Sequence, residues 1–105
     1  ADPRKPSVLT IGRVEALGAT NVIPDRVVLQ GTFRAFDEAW RAEAHRRIEA
    51  IARGVAEGMG ARLVLEIRRG YPVLHNDEAL TARARAGIAH YIGEENVVDL
   101  DLWMA

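Results

Sequence analysis

The sequence predicts an α+β fold, an antiparallel sheet with helices packed on one face, and three observations carry that prediction. Arg26 to Phe36 alternates with a period of two, Trp40 to Met59 carries a single apolar stripe at helical spacing, and Leu63, Leu65 and Ile67 alternate again before a second helical segment. Strands of this kind, each with one wet face, are satisfied by antiparallel pairing and by helices covering the dry face.

The elements follow in order. Val8 to Glu15 is rich in β-branched and aliphatic residues and follows Pro3 and Pro6, so it reads as a strand. Ala16 to Asp25 is a connection with Gly18, Asn21 and Pro24 as turn formers. Arg26 to Phe36 is a half-buried strand: Val27, Leu29 and Phe33 point one way, with Gly31 between them, and Gln30, Thr32 and Arg34 the other. Its pairing with the first strand is expected to be antiparallel, across a connection of about ten residues, longer than a tight hairpin uses.

Asp37 suits a helix N-cap, and Glu38 the positive end of the helix dipole. Trp40, Ala44, Ile48, Ile51, Val55 and Met59 form the stripe, Arg41, Glu43, Arg46, Arg47, Glu49 and Arg53 fall off it, and Gly60 is placed to end the helix. Leu63, Leu65 and Ile67, set against Arg62, Glu66 and Arg68, predict a third strand closed by Gly70-Tyr71-Pro72. Asn76-Asp77 opens a second helix through Leu80, Ala84, Ile88 and Tyr91, stopped at Gly93. Asn96 to Leu102 is a short apolar alternation that reads as a fourth strand.

Composition narrows the function classes. In 105 residues one domain can bury a real but modest core. Fourteen basic and fifteen acidic residues give a net charge of −1, so no field of one sign is built that would draw nucleic acid or an anionic membrane. Cysteine is absent, which removes disulfides, thiol catalysis and cysteine-ligated zinc together and is compatible with a cytoplasmic protein. No apolar run approaches the ~20 residues of a membrane span. The chain opens Ala1-Asp2-Pro3 without methionine and stops in Leu102-Trp103-Met104-Ala105, which predicts a piece of a longer protein.

Candidate chemistry is sparse. His45 with Glu49, and His90 with Glu94, are spaced one helical turn apart and could each give two metal ligands. A zinc site needs three or four, and the sequence shows no third, so both histidines read as solvated helix residues. His75, beside Asn76 and Asp77, reads as part of a turn and helix cap. Gly54, Gly58 and Gly60 end a helix, whereas phosphate loops open one, so no dinucleotide fingerprint is present. Arg62, Arg68 and Arg69 form a basic strand face. Asn21 and Arg34 offer an amide donor–acceptor and a forked cation, a pair suited to a carboxylate; each is equally well explained alone, Asn21 as a loop former and Arg34 as a solvated strand residue.

The run Ser7-Val8-Leu9-Thr10-Ile11-Gly12-Arg13-Val14, the loop Asn21-Val22-Ile23-Pro24-Asp25, then Gly31-Thr32-Phe33-Arg34, and Gly70-Tyr71-Pro72 with Asn76-Asp77 occur in that order over nearly the whole chain. They resemble the dimerisation, or lid, domain of the metal-dependent aminoacylase and amidohydrolase peptidases, in the hippurate and N-acyl-amino-acid amidohydrolase branch. The resemblance implies a ferredoxin-like lid over residues 1–78 whose first strand and helix precede Ala1, and a helix and short strand over 79–105 returning towards a catalytic domain. It implies a parent hydrolase that cleaves an N-acyl amino acid or peptide amide bond with two zinc, manganese or cobalt ions, a metal-bound water as nucleophile and a carboxylate as base. Its metal ligands are expected elsewhere in the parent, so this segment alone is expected to hold no catalytic metal and to be inactive. Its roles are then homodimerisation and substrate gating, with Asn21 and Arg34 as substrate-binding residues, one of them reaching the partner subunit's site. The alternatives are a stand-alone ferredoxin-like interaction module and a small-ligand regulatory domain that takes a free amino acid.

Overall fold

In the computed structural model the structure describes residues 6–100. The α+β class holds: two antiparallel strands and two helices, β1 (Ser7–Glu15), β2 (Val28–Ala35), α1 (Glu38–Gly58) and α2 (Glu78–Ile92), with a one-turn 3₁₀ helix at Glu94–Asn96. The chain forms two compact units that divide between Val73 and Leu74.

The first unit holds the hairpin and α1. β1 and β2 pair from Ser7–Ala35 to Glu15–Val28, and the register steps from Ile11–Gly31 to Arg13–Gln30, leaving Gly12 as a bulge. The bulge decides which residues share a face. A regular strand would put Val14 with Val8 and Thr10; the extra residue brings it opposite Leu29, so Leu9, Ile11, Val14, Leu29 and Phe33 form one apolar face. The other face carries Thr10, Arg13, Glu15, Gln30, Thr32 and Arg34, and there the Arg13 guanidinium donates to Gln30 Oε1 at 3.1 Å and to Glu15 Oε2 at 2.7 Å. Gly31 is required at its place, because a Cβ would run into the Thr10 carbonyl oxygen across the ladder.

Asp37 caps α1 through its Oδ1, which accepts from Trp40 N–H at 2.8 Å. At the other end Ala61 N–H bonds Ala56 O at 2.8 Å and Gly60 N–H bonds Glu57 O at 3.0 Å, a Schellman closure with Gly60 at φ +73°. On the wet side Glu43 holds Arg46 and Arg47 at 2.5 and 2.9 Å, and Glu49 holds Arg53 at 3.1 Å. α1 rests on β2 where the His45 ring meets Phe33, and the neighbouring Ala44 is the one apolar side chain among the described residues that is fully buried. Beyond that contact the stripe is open, with Ile51, Val55 and Met59 in water along with Leu9, Ile11, Val14 and Leu29. Full burial of such a side chain is worth about 1.5–3 kcal/mol, and each of these is more than half exposed.

The expected third strand is not formed. Residues 61–77 belong to no ladder among the described residues, although Leu63 and Leu65 are half-buried and Arg62, Val64 and Glu66 are exposed. The alternation marks the face that meets the protein, but a strand also needs a hydrogen-bonding neighbour, and among the described residues the only ladder joins β1 to β2. The segment is tied to α1 instead: Arg41 Nη1 donates to Tyr71 O at 2.9 Å, and Val73 N–H donates to Glu38 Oε1 at 2.7 Å.

In the second unit Asp77 caps α2 by accepting from Leu80 N–H at 2.7 Å, and Gly93 ends it at φ +93°. Arg85 pairs with Asp99. The expected fourth strand is replaced at Asn96 by the 3₁₀ turn, residues 97–100 form no ladder among the described residues, and Asp101 and Leu102 lie outside them. No helix among the described residues is long and apolar enough to cross a membrane.

Candidate functional site

Asn21 and Arg34 sit at opposite ends of the hairpin. Asn21 lies in the Ala16–Val27 connection, exposed, just after Thr20 in a turn closed by Val22 N–H to Ala19 O at 3.2 Å. Gly18 packs this loop on itself, since a Cβ there would stand 3.1 Å from Val22 O and 3.4 Å from Pro24 Cγ. Arg34 is opposite Val8, on the polar face of β2, exposed and without an ion-pair partner among the described residues. The ladder runs six residues from Val28, where the connection ends, to Arg34, and at ~3.3 Å per residue that is a separation of about 20 Å. The connection that carries Asn21 and the end of β2 that carries Arg34 thus leave the ladder at opposite ends.

His45 differs from the expectation of a solvated helix residue. It is half-buried, its ring edge-on to Phe33 with centroids 6.2 Å apart at 69°. Burial, then the nearby charges of Arg69 and Arg41, push its pKa below the ordinary histidine range. The reason is geometric: His45 follows Ala44 on α1 and so falls at the margin of the packed stripe, on the side where the 61–73 segment runs. His75 and His90 are exposed, as expected for a loop and a helix surface. Glu43, held by Arg47 and Arg46, keeps its carboxyl below the usual carboxylate range. Among the described residues no group of three or more His, Asp or Glu side chains could hold a metal ion, so the two ions implied by the resemblance do not fit here.

A cleft not foreseen from the sequence opens between the apolar face of the hairpin and α1. It measures about 680 Å³ and is lined by Leu9, Phe33, Trp40, Ala44, Ile48 and Ile51. Arg47 lies over the Trp40 ring at 5.6 Å, and the buried indole N–H of Trp40 has no acceptor among the described residues. The stripe that forms one wall was visible in the sequence; that nothing among the described residues fills the space opposite was not.

Comparison with known proteins adds what geometry leaves open. The chain is 33% identical over 84 residues to the N-acetyl-L-cysteine deacetylase of Bacillus subtilis, which covers 80% of this chain and 20% of that protein. It is 40% identical over 78 residues to the N-acyl-L-amino acid amidohydrolase of Geobacillus stearothermophilus, covering 73% and 21%. It is 34% identical over 80 residues to the N-acetyldiaminopimelate deacetylase of Brevibacillus brevis, covering 76% and 21%. No protein-family model and no solved structure matches it. The chain thus spans about a fifth of the length of these relatives. With several N-acyl-amino-acid hydrolases aligned over most of its residues, the chain belongs to the amidohydrolase and deacetylase family, of whose members it matches one segment.

Proposed function

We propose that this chain is the lid and dimerisation part of a metal-dependent amidohydrolase that removes the acyl group from an N-acyl amino acid, and that its own work is association and substrate gating. The observation that carries the reading is the set of relatives, among them an N-acetyl-L-cysteine deacetylase, an N-acyl-L-amino acid amidohydrolase and an N-acetyldiaminopimelate deacetylase. In this reading the ions are held by the remainder of the parent. Open apolar surface on the hairpin and α1 supports a segment that associates rather than stands alone.

Asn21 and Arg34 bind the substrate carboxylate in this reading. Asn21 precedes the end of the ladder at Val28 and Arg34 lies about 20 Å along it from there, and in this reading one acts in its own subunit's site and the other across the dimer. The test is complementation in the full-length parent with an N-acetyl amino acid as substrate. Asn21→Ala and Arg34→Ala are each expected to lower kcat/KM about 10–100-fold, the loss of one or two charge-assisted hydrogen bonds. Mixed dimers of the two variants restore up to half the activity, because one of the two sites then carries neither change. Mixed dimers no better than the parents of the mixture would place both residues in one site or in none.

A further inference from the structure

We propose that Gly18 is a positioning residue for the reaction: by carrying no side chain it lets the connection between β1 and β2 fold onto itself, and so fixes where Asn21 is presented. Gly18 itself touches no substrate in this scheme. The connection, residues 16–27, is exposed at every position except Pro24, which is half-buried. Its order therefore comes from contacts within it, and two of them bracket Asn21. Val22 N–H closes a turn on Ala19 O at 3.2 Å, and the Val22 carbonyl and the Pro24 ring lie against Gly18.

The fit at Gly18 is one of space. Its φ is not in the left-handed region, which among the glycines belongs to Gly60 and Gly93. A Cβ at Gly18 would stand 3.1 Å from Val22 O, 3.4 Å from Pro24 Cγ and 3.8 Å from Pro24 Cδ. Neither neighbour is a flexible side-chain tip. One is backbone, and the other is a ring that fixes its own φ. Relief of the crowding thus moves the chain at Val22, and Asn21 is the residue directly before it.

A small displacement there is enough to matter. A binding group has to be held within about 0.5 Å of its productive place, and a misplacement of about 1 Å can cost a hundredfold in rate. A methyl group at Gly18 asks its neighbours to give by a few tenths of an ångström. The two γ carbons of a valine reach further into the same contacts. The inference rests on the reading of Asn21 as a substrate-binding residue, and it adds what holds Asn21 in place.

The experiment measures kcat/KM of the full-length parent on an N-acetyl amino acid, for Gly18→Ala, Gly18→Val, Asn21→Ala and the Gly18→Val, Asn21→Ala double variant. The expected losses are about threefold for Gly18→Ala and about tenfold or more for Gly18→Val, with unchanged urea midpoints because the connection is exposed. The double variant is expected to be no worse than Asn21→Ala, since a misplaced side chain that is already absent costs nothing more. Losses that multiply in the double variant would make Gly18 independent of Asn21 and overturn the proposal. Normal Gly18 variants beside an impaired Asn21→Ala would overturn it too, and Gly18→Ala alone decides this if Gly18→Val does not fold. Normal kcat/KM in Asn21→Ala would overturn the underlying reading, and the proposal with it.

Discussion

The hairpin and the 61–69 segment have the same kind of sequence and different fates. Both alternate apolar and polar residues, with Phe33 of the hairpin and Leu63 and Leu65 of the segment half-buried. The hairpin is a ladder because β1 and β2 are joined by a connection that lets each find the other, and because Gly12 and Gly31 tune the pairing. The segment joins no ladder among the described residues, and it is the chain just after it, at Tyr71 and Val73, that bonds to the Arg41 and Glu38 side chains of α1. Alternation therefore encodes a face, while a strand also requires a neighbour, and the two requirements are met by different parts of a polypeptide.

The largest stability effect separates the two regions directly. Gly31→Ala places a Cβ against the Thr10 carbonyl oxygen and beside Ile11 Cδ1, so the hairpin must shift; a loss of about 1–3 kcal/mol is expected in the parent. Gly70→Ala, at the end of the segment, meets nothing within 4 Å and is expected to be neutral or to stabilise by up to about 1 kcal/mol. Urea unfolding of the two variants checks the contrast. Equal losses would mean that the segment is as tightly laddered as the hairpin.

How much of this was legible follows the same division. Asp37 and Asp77 as caps, and Gly60 and Gly93 as stops, were readable because each acts on backbone within a few residues. The antiparallel hairpin was readable from its period. The bulge at Gly12 was not, since it shows only when Val14 must share a face with Leu29. Asn21 and Arg34 are offered as a pair by resemblance, while their placement beyond one end of the ladder and near the other shows only in its register. His45 was misjudged because its surroundings, Phe33 and Arg69, come from elements twelve and twenty-four residues away in sequence.

A smaller effect tests the anchorage. Arg41 bonds the Tyr71 carbonyl and pairs with Glu38, which in turn accepts from Val73 N–H. Arg41→Ala should cost about 1 kcal/mol, and its sign is local: exchange at residues 70–73 should quicken while 28–35 stays as it was. Uniform quickening across both would show that hairpin and segment open as one unit. Asp37→Ala, by contrast, removes the N-cap of α1 and is expected to cost about 1 kcal/mol with loosening of both, since α1 is what they share.

The smallest effect concerns pH. His45 prefers to be neutral in the folded protein, because charging it means solvating a half-buried ring against Phe33 and beside Arg69 and Arg41. Its folded pKa lies below the unfolded one, so in the window just under the ordinary value of about 6.5 the unfolded chain binds more protons. Stability is then complete above that window and falls as the pH drops through it. Glu43, whose carboxyl is lowered by Arg47 and Arg46, acts in the same direction only at more acid pH, and its exposure to solvent keeps that contribution small. His45→Gln should flatten the stability profile between pH 7 and 5 (order-of-magnitude bounds around the histidine range) and leave the acid limb in place. A profile unchanged by His45→Gln would locate the titrating group elsewhere. It would also weaken the case that the Arg69 end of the 61–69 segment stays beside α1 in solution, which is the contact on which the whole contrast between segment and hairpin depends.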